Sequence, residues 1–180
     1  MRQDEDEFAA FYRASRERCL RAVIAGSGRT DLAEDLVAEA YTRALLSWRT
    51  VRRHPAPEAW VVRTALNTGV SWWRRRRREV PLDDHDAPAP GGCEPGGRPG
   101  PPTGLAGDPD LLAALRALPR RQREVIALRL VLDLDMAATA AVLGIAPGTV
   151  GAHLSRAVAT LRTVLLHDSD PIPADQEVTR

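Results

Sequence analysis

The apolar residues near the start of the chain recur every three or four positions, which is typical of amphipathic helices. Residues 4–25 predict one helix, residues 32–48 a second and residues 58–78 a third. Residues 49–57 contain two prolines and predict a loop between the second and third helices. The pattern therefore indicates a three-helix unit over residues 4–78.

This periodicity stops at residue 79 and resumes after residue 108. Seven prolines and seven glycines occupy 14 of the 30 positions over 79–108, with almost no large apolar side chain, which predicts a flexible linker. Residues 109–166 predict a second unit of four helices, and the polar residues 167–180 predict a disordered tail. The chain is thus expected to be all-α, with two small helical domains joined by a flexible linker.

The second unit contains a helix-turn-helix pattern. Asp135 can cap its first helix, Gly144 suits a left-handed turn, and Pro147 can open its second helix. Ala140 allows close helix crossing, and Val150 is spaced to face the core. An ordinary helical hairpin is the alternative. In a helix-turn-helix the second helix enters the major groove, and its candidate DNA-binding residues are Pro147, Gly148, Thr149, Ala152, His153, Ser155 and Arg156.

Charge is distributed unevenly along the chain, although the net charge is only +1. Residues 1–78 hold 16 Arg and 10 acids, residues 79–108 hold one Arg and six acids, and residues 109–166 hold seven Arg and four acids. Two basic units are therefore separated by an acidic segment. Every basic side chain is Arg rather than Lys, and its planar guanidinium suits phosphates and base edges.

Several classes of function are disfavoured. No apolar run reaches the roughly 18 residues of a membrane span, and the acidic N-terminus is not followed by an export signal, so a cytoplasmic protein is expected. The separated Cys19 and Cys93 suggest two reduced thiols rather than a disulfide or metal site. No catalytic constellation, phosphate loop or metal-ligand spacing is visible, so no enzyme activity, cofactor, metal or small-molecule substrate is expected.

Two adjacent tryptophans, Trp72 and Trp73, run directly into five arginines. Trp73 follows Leu66 by two helical turns, which indicates core packing, whereas Trp72 is rotated by about 100° and is expected to be more exposed. An exposed ring beside guanidinium groups can stack on an unpaired base while the arginines hold phosphates. Arg63 and Asn67, one turn apart, can meet base edges. A solvated helix end would explain the arginines but not the tryptophans.

The second predicted helix carries an acidic cluster beside its apolar stripe. Asp31 is placed to cap this helix, with Glu34 three residues later as in a capping box. Asp35 and Glu39 extend the cluster along the helix. Because acids beside a DNA-binding helix would repel DNA, the cluster is either a salt-bridged surface or a docking surface for a protein partner.

The stretches DLAEDLVAEAYTRAL and WVVRTALNTGVSWWRRRRRE, followed by a linker and the helix-turn-helix, resemble the extracytoplasmic-function (ECF) sigma factors of the sigma-70 family. The resemblance covers roughly residues 5–166. It implies a dissociable subunit of bacterial RNA polymerase that directs the core enzyme to promoters and promotes DNA melting. Residues 4–78 would be sigma region 2 and residues 109–166 sigma region 4. The alternative is a stand-alone helix-turn-helix regulator, which would bind duplex DNA tightly without polymerase.

The resemblance also implies partners and roles. Two parts of core polymerase would bind this chain, the β flap and the clamp helices of the largest subunit. The clamp helices would dock on the acidic helix, at Asp31, Glu34, Asp35, Leu36 and Glu39. The third helix and the loop before it would recognise and open the −10 promoter element, with Arg63, Asn67, Trp72, Trp73, Arg74, Arg75 and Arg76 as its DNA-binding residues. The last helix would read the −35 element. An anti-sigma factor is a further partner that the resemblance suggests.

The chain departs from the family pattern at a few positions. Ser71 stands where Asp is common, and Gly151, His153 and Val158 stand where Lys or Arg are common, which implies altered −35 contacts. Promoter elements about 17 base pairs apart are separated by nearly 60 Å of duplex, at roughly 3.4 Å per pair. A 30-residue linker can span that distance, whereas two units in tight contact cannot.

Overall fold

The computed structural model describes residues 2–79 and 108–167, with side chains for residues 3–71 and 108–166. Most of the expected linker and tail lie outside the described residues. So do the side chains of residues 72–78, the two tryptophans and five arginines that we call the Trp–Arg run. All regular elements of the described part are helices, which confirms the all-α fold class.

The first unit contains four helices, namely α1 (Arg2–Ser27), α2 (Ala33–Leu46), α3 (Trp48–Val51) and α4 (Pro57–Glu79). The short α3 lies partly in the segment that the prolines marked as a loop, so the prediction of three helices misses one turn. This turn is helical because Trp48, its first residue, packs into the core. The Trp48 side chain is only 8% exposed and contacts aromatic rings of α1.

The start of α2 differs from the prediction of a capping box. Leu32 is the N-cap residue and no side chain caps the helix. The carboxylate of Asp31 instead accepts hydrogen bonds from Arg29, at 3.1 Å from Nε and 2.6 Å from Nη2. Hydrogen bonding to this guanidinium lowers the pKa of Asp31. The Asp31 carboxylate, which the sequence pattern predicted to cap α2, is therefore bound by Arg29 instead.

The core of the first unit is formed where α1 packs against α2 and α4. This core holds an aromatic cluster, in which the centre of the Trp48 ring lies 5.3 Å from that of Phe8 and 5.2 Å from that of Phe11. The hydroxyls of Ser15 and Tyr41 share a hydrogen bond of 2.7 Å within this core. Few aromatic residues occur in the sequence, and this cluster concentrates them where α1, α2 and α3 meet.

Cys19 lies in the same core and is fully buried. Burial raises the pKa of its thiol to about 12, because the charged thiolate is poorly solvated there. The neutral thiol is close to the carbonyl oxygen of Glu58, at 3.9 Å. Cys19 is therefore a packing residue in this fold.

The second unit contains α5 (Pro109–Ala117), α6 (Arg120–Ile126), α7 (Met136–Leu143) and α8 (Pro147–His167). This confirms the expected four helices. A π-helical turn, Ala127–Val131, continues α6 and was not predicted. The unit is held together by packing of α8 against α5, α6 and α7.

The helix-turn-helix has the local structure that its sequence predicts. The carboxylate of Asp135 accepts a hydrogen bond of 2.6 Å from the backbone N–H of Ala138 and so caps α7. Gly144 ends α7 in the left-handed region, with φ of 67°. Ala140 and Val150 are buried between the two helices. The axes of α7 and α8 differ by 100°, which lies in the range of helix-turn-helix motifs.

Replacement of Gly144 by Ala is expected to destabilise the protein by about 1–2 kcal/mol, because a Cβ is disfavoured at positive φ. A Cβ there would meet no other atom within 4 Å, so the cost is one of backbone conformation alone. Gly148→Ala is the matched control, since its Cβ would also meet nothing within 4 Å and its φ is not positive. Thermal unfolding of both variants tests this, and equal melting temperatures would contradict it.

The two units are packed against each other. α1 contacts both α6 and the following π-helical turn, and the buried side chains of both units form one continuous hydrophobic core. This arrangement differs from the extended, tethered pair that the promoter spacing led us to expect.

Within the described residues, no single helix is long and apolar enough to cross a membrane. The sharply bent pair of α7 and α8 meets the criterion jointly, by length and composition only.

Candidate nucleic-acid and polymerase interfaces

One face of α4 carries the two polar residues that the sequence placed one turn apart. Arg63 and Asn67 are both exposed on this face. They border a groove of about 380 Å³ that is also lined by Trp60 from the same helix. The far wall of the groove belongs to α7, through Ala138, Ala141 and Val142. A flat aromatic side chain, a guanidinium and an amide in one groove can together contact a nucleic acid base.

The segment before α4 is held in place by ion pairs to α1. Arg52 lies 2.8 Å from the carboxylate of Glu7 and 3.1 Å from that of Asp4. At its end, Nδ1 of His54 accepts a hydrogen bond of 3.0 Å from the backbone N–H of Ala56, one residue before α4 begins. The predicted −10 loop is therefore an ordered connection with a defined position beside the α4 groove.

The α4 helix continues through the Trp–Arg run, since its backbone is helical to Glu79. The side chains of Trp72, Trp73, Arg74, Arg75 and Arg76 lie outside the described residues, so their −10 roles stay predictions. Asn67 and the Trp–Arg run therefore belong to one continuous helix, the helix that also lines the α4 groove.

The N-terminal half of α8 presents most of the residues predicted to contact the −35 element. Six of the seven are exposed, and they are Pro147, Gly148, Thr149, Ala152, Ser155 and Arg156. His153 is only half-buried, and its Nδ1 is shielded from solvent without a hydrogen-bond partner. Gly151 faces Met136, because an added Cβ would lie 3.0 Å from the methionine Cε. The small residue at this position thus permits close packing at the base of the helix-turn-helix.

The acidic face of α2 is exposed for most of its length. Glu34 and Asp35 are exposed, and neither forms an ion pair with another described residue. Glu39 pairs with Arg43 at 2.8 Å. The helix ends in two exposed apolar residues, Leu45 at 47% and Leu46 at 82% exposure. Acidic and apolar groups therefore share one open surface.

Leu36 does not belong to that surface. The sequence grouped it with the docking residues, but its side chain is only 2% exposed. It packs on α4, where a Cβ added to Gly69 would lie 3.1 Å from a Leu36 methyl group. The periodicity of the helix explains this correction, because Leu36 falls on the apolar stripe rather than on the acidic face.

The structure also shows a cluster of polar residues that the sequence did not single out. Glu124 on α6 is 3% exposed and is held by Arg120 at 2.6 Å and by Arg121 at 2.9 Å. Arg120 also donates a 3.3 Å hydrogen bond to the Oδ1 of Asn67 in the other unit. The four-residue spacing of Arg120 and Glu124 is a readable signal for their ion pair. No sequence signal connects Arg120 to a residue 53 positions away.

The described residues contain no group of three or more His, Cys, Asp or Glu side chains that could hold a metal ion.

Comparison with known proteins gives the family. The model of sigma-70 region 2 matches residues 8–79, and the model of sigma-70 region 4 matches residues 109–161. An RNA polymerase sigma-E factor of Streptomyces coelicolor is 30% identical over 162 residues, which cover 89% of this chain and 86% of that relative. The ECF RNA polymerase sigma factor EcfG of Rhodopseudomonas palustris is 33% identical, over 83% of this chain and 80% of the relative.

A solved structure has the same fold over most of both chains. The sigma factor RpoE of Bartonella quintana, crystallised with the anti-sigma factor NepR, has a TM-score of 0.68 and 26% identity, covering 90% of this chain and 98% of that one. The chain therefore belongs to the ECF sigma factors of the sigma-70 family. It is an RNA polymerase sigma factor, a class of transcription initiation factors that do not themselves catalyse a reaction.

Proposed function

We propose that this chain directs core RNA polymerase to promoters by binding the −10 element with the α4 groove and the Trp–Arg run, and the −35 element with α8. The observation that carries the proposal is the presence of two separate DNA-competent surfaces on one chain. One joins Arg63 and Asn67 on α4. The other is the exposed N-terminal half of α8 in a helix-turn-helix.

The two surfaces are suited to different forms of DNA. The α8 surface has few charges, with Arg156 as its exposed cation, so its affinity for duplex DNA alone should be modest. The α4 groove and the Trp–Arg run offer aromatic rings and guanidinium groups, which suit unpaired bases. Capture of unpaired −10 bases would then favour the melted promoter.

We further propose that α2 docks on core polymerase, with the clamp helices of the largest subunit as the partner and the β flap contacting the second unit. The exposed Glu34 and Asp35 support this, and so does the exposed apolar Leu46 at the other end of the same helix. Mounting both units on one large partner raises the effective concentration of each for its DNA element. Two weak contacts can then give specific promoter binding in the cytoplasm, where this polymerase acts.

An anti-sigma factor is proposed as the regulator. The support is the likeness to RpoE, which was crystallised with the anti-sigma factor NepR.

Transcription with purified core polymerase on a pool of bacterial genomic fragments tests the proposed function. We expect new transcript 5′ ends that share two upstream motifs about 17 base pairs apart, as the spacing of −10 and −35 elements requires. Core polymerase without the chain is the control. Transcripts that start equally at random with and without the chain would reject the proposal.

Trp72→Ala is expected to impair promoter opening more than polymerase binding. Loss of stacking on one base costs about 1–3 kcal/mol, which is roughly 5- to 150-fold in open-complex formation. Permanganate footprinting of melted thymines measures opening, and fluorescence anisotropy measures core binding. Trp72→Phe, which keeps an aromatic ring, should retain most of the activity. A parallel loss of opening and of core binding would instead indicate that Trp72 supports the fold.

A further inference from the structure

One face of α1 holds the segment that precedes α4. Asp4, Glu7, Phe8 and Phe11 are spaced three or four residues apart, so they share this face of the helix. The two phenylalanine rings pack on Trp48 of α3, with ring centres 5.3 and 5.2 Å apart. The two carboxylates meet arginines in and just after α3. The same face of α1 therefore offers both an apolar and an acidic contact to one short segment.

The acidic part of this contact is a linked set of ion pairs. One carboxylate oxygen of Asp4 lies 3.1 Å from Nη1 of Arg52, and the other lies 3.3 Å from Nε of Arg49. The same Nη1 of Arg52 donates a 2.8 Å hydrogen bond to Glu7. The side chains of Arg52 and Asp4 are only 33% and 29% exposed, so solvent and salt screen their attraction less than that of a fully exposed pair.

The residues after Arg52 have few other restraints. Pro55 and Pro57 have no N–H group, so this segment cannot build a regular set of backbone hydrogen bonds. Its local restraint is the hydrogen bond from the Ala56 N–H to His54, at 3.0 Å. His54, Pro55 and Ala56 border the α4 groove. Because His54 is two residues beyond Arg52, fixing Arg52 limits how far this wall of the groove can move.

The position of that wall matters for reading bases. The α4 groove is lined on its helical side by Trp60, Arg63 and Asn67, whose relation is fixed by helical spacing. The wall at residues 54–56 has no such internal geometry. A site that distinguishes bases must hold its groups within about 0.5 Å of the fitting arrangement. A loosened wall would still attract phosphates but would distinguish bases less well.

We propose that Arg52, held by Asp4 and Glu7, is a positioning residue that fixes the wall at residues 54–56 and so sharpens the discrimination between −10 sequences. The proposal rests on the proposed function above, because it assigns the α4 groove to −10 DNA. Arg52 acts through the segment that follows it and does not itself bind DNA. The first turns of α1 thereby become part of promoter recognition.

Discrimination by the complex with core polymerase tests this role. The probe is a forked DNA that is unpaired over the −10 motif found in the transcription experiment above, and its partner is the same fork with that motif scrambled. The ratio of the two dissociation constants is the readout. We expect Arg52→Gln to lower this ratio about fivefold or more, while the affinity for core polymerase is unchanged. An unchanged ratio would overturn the proposal.

Arg53→Gln is the matched control. Arg53 is the next residue, is exposed, and forms no ion pair with another described residue, so its substitution removes the same charge without touching the anchor. Lost attraction to phosphates affects both forks alike and cancels in the ratio. The ratio should therefore stay within about twofold of the unsubstituted value. Equal losses in Arg52→Gln and Arg53→Gln would overturn the proposal.

Two further variants separate positioning from direct contact with DNA. Both carboxylates meet a single nitrogen of Arg52, Nη1, so the ammonium of Arg52→Lys can take its place and should retain most of the discrimination. A loss as large as in Arg52→Gln would mean that the guanidinium fork grips DNA itself, which would overturn the proposal. Glu7→Gln should also lower the ratio. Adding it to Arg52→Gln should cause no further loss, because both remove one contact.

A spin label measures the anchor without DNA or polymerase. Arg53→Cys in a Cys93→Ser background gives one exposed thiol, since Cys19 is fully buried. We expect the label to be restricted in the otherwise unsubstituted chain and to move faster when Arg52→Gln is added. Equal mobility would overturn the proposal. Melting temperatures should agree within about 3 °C, because partly exposed ion pairs contribute little to global stability. A larger fall would show a general structural role instead.

The two proposals fail in different ways. If the unsubstituted complex does not distinguish the two forks, the proposed role of the α4 groove is wrong, whatever the spin label reports. If it distinguishes them and Arg52→Gln does so equally well, only the positioning role is wrong.

Discussion

Reversing two charges on α2, as in Asp35→Arg with Glu39→Arg, is expected to weaken binding of core polymerase by about 100-fold or more. The acidic face of α2 implies a basic partner surface, so each new arginine would meet like charge there, which costs several kcal/mol in total, and about 1.4 kcal/mol corresponds to a factor of ten. Asp35 is exposed without an ion pair among the described residues, whereas Glu39 would also lose its pairing with Arg43. Titration of labelled protein with core polymerase gives the dissociation constant.

Glu17→Arg is the control for that experiment. Glu17 is an exposed acid on α1 rather than on α2. Its reversal changes the net charge by the same amount per site but alters no residue of the proposed docking surface. Circular dichroism should show that all variants remain helical. If the α2 variant and Glu17→Arg lose the same affinity per reversed charge, the effect is a general electrostatic one. If the α2 variant binds core polymerase as tightly as the unsubstituted chain, α2 is not part of the interface.

Leu128→Ala is expected to cause the largest loss of stability among simple truncations in the π-helical turn. Leu128 is 1% exposed, and deletion of a fully buried leucine side chain costs about 2–5 kcal/mol. For a cooperative chain of this size, that corresponds to a fall in melting temperature of roughly 4–20 °C. Leu130→Ala, in the same turn but 59% exposed, should change stability by about 0.5 kcal/mol or less.

Thermal unfolding followed by circular dichroism distinguishes these two variants. Because the buried residues of both units form one core, Leu128→Ala should lower a single transition rather than one of two. A separate low-temperature step would mean that the units unfold independently, which would argue against a stable contact between them. Equal melting temperatures for both variants would contradict the burial of Leu128.

Elements specified by local chemistry could be predicted from the sequence. Asp135, Gly144 and Pro147 each act within a few residues of the chain, and the structure has the cap, the left-handed turn and the helix start that they imply. The prediction that Asp31 caps α2 was wrong, because a second local partner, Arg29, binds the Asp31 carboxylate instead. Where two short-range interactions compete for one carboxylate, the pattern alone does not rank them.

Long-range contacts account for most of what the sequence did not reveal about the site. Arg63 and Asn67 were correctly expected on one exposed face, because helical spacing fixes their relation. The hydrogen bond from Arg120 to Asn67 joins two helices through tertiary packing, which spacing does not encode. The burial of Leu36 follows from its position on the apolar stripe of α2. Leu36 was nevertheless predicted to be a docking residue, because the resemblance to the family was given more weight than the stripe.

The environment of Cys19 has a consequence for oxidative stress. Burial raises the pKa of its thiol, so the reactive thiolate is scarce at neutral pH, and the surrounding core shields the sulfur from solvent. This residue is therefore a poor sensor of oxidants. If transcription by this sigma factor responds to peroxide, the oxidation must be detected elsewhere, at Cys93 or on another protein, and reach the first unit through a change in binding.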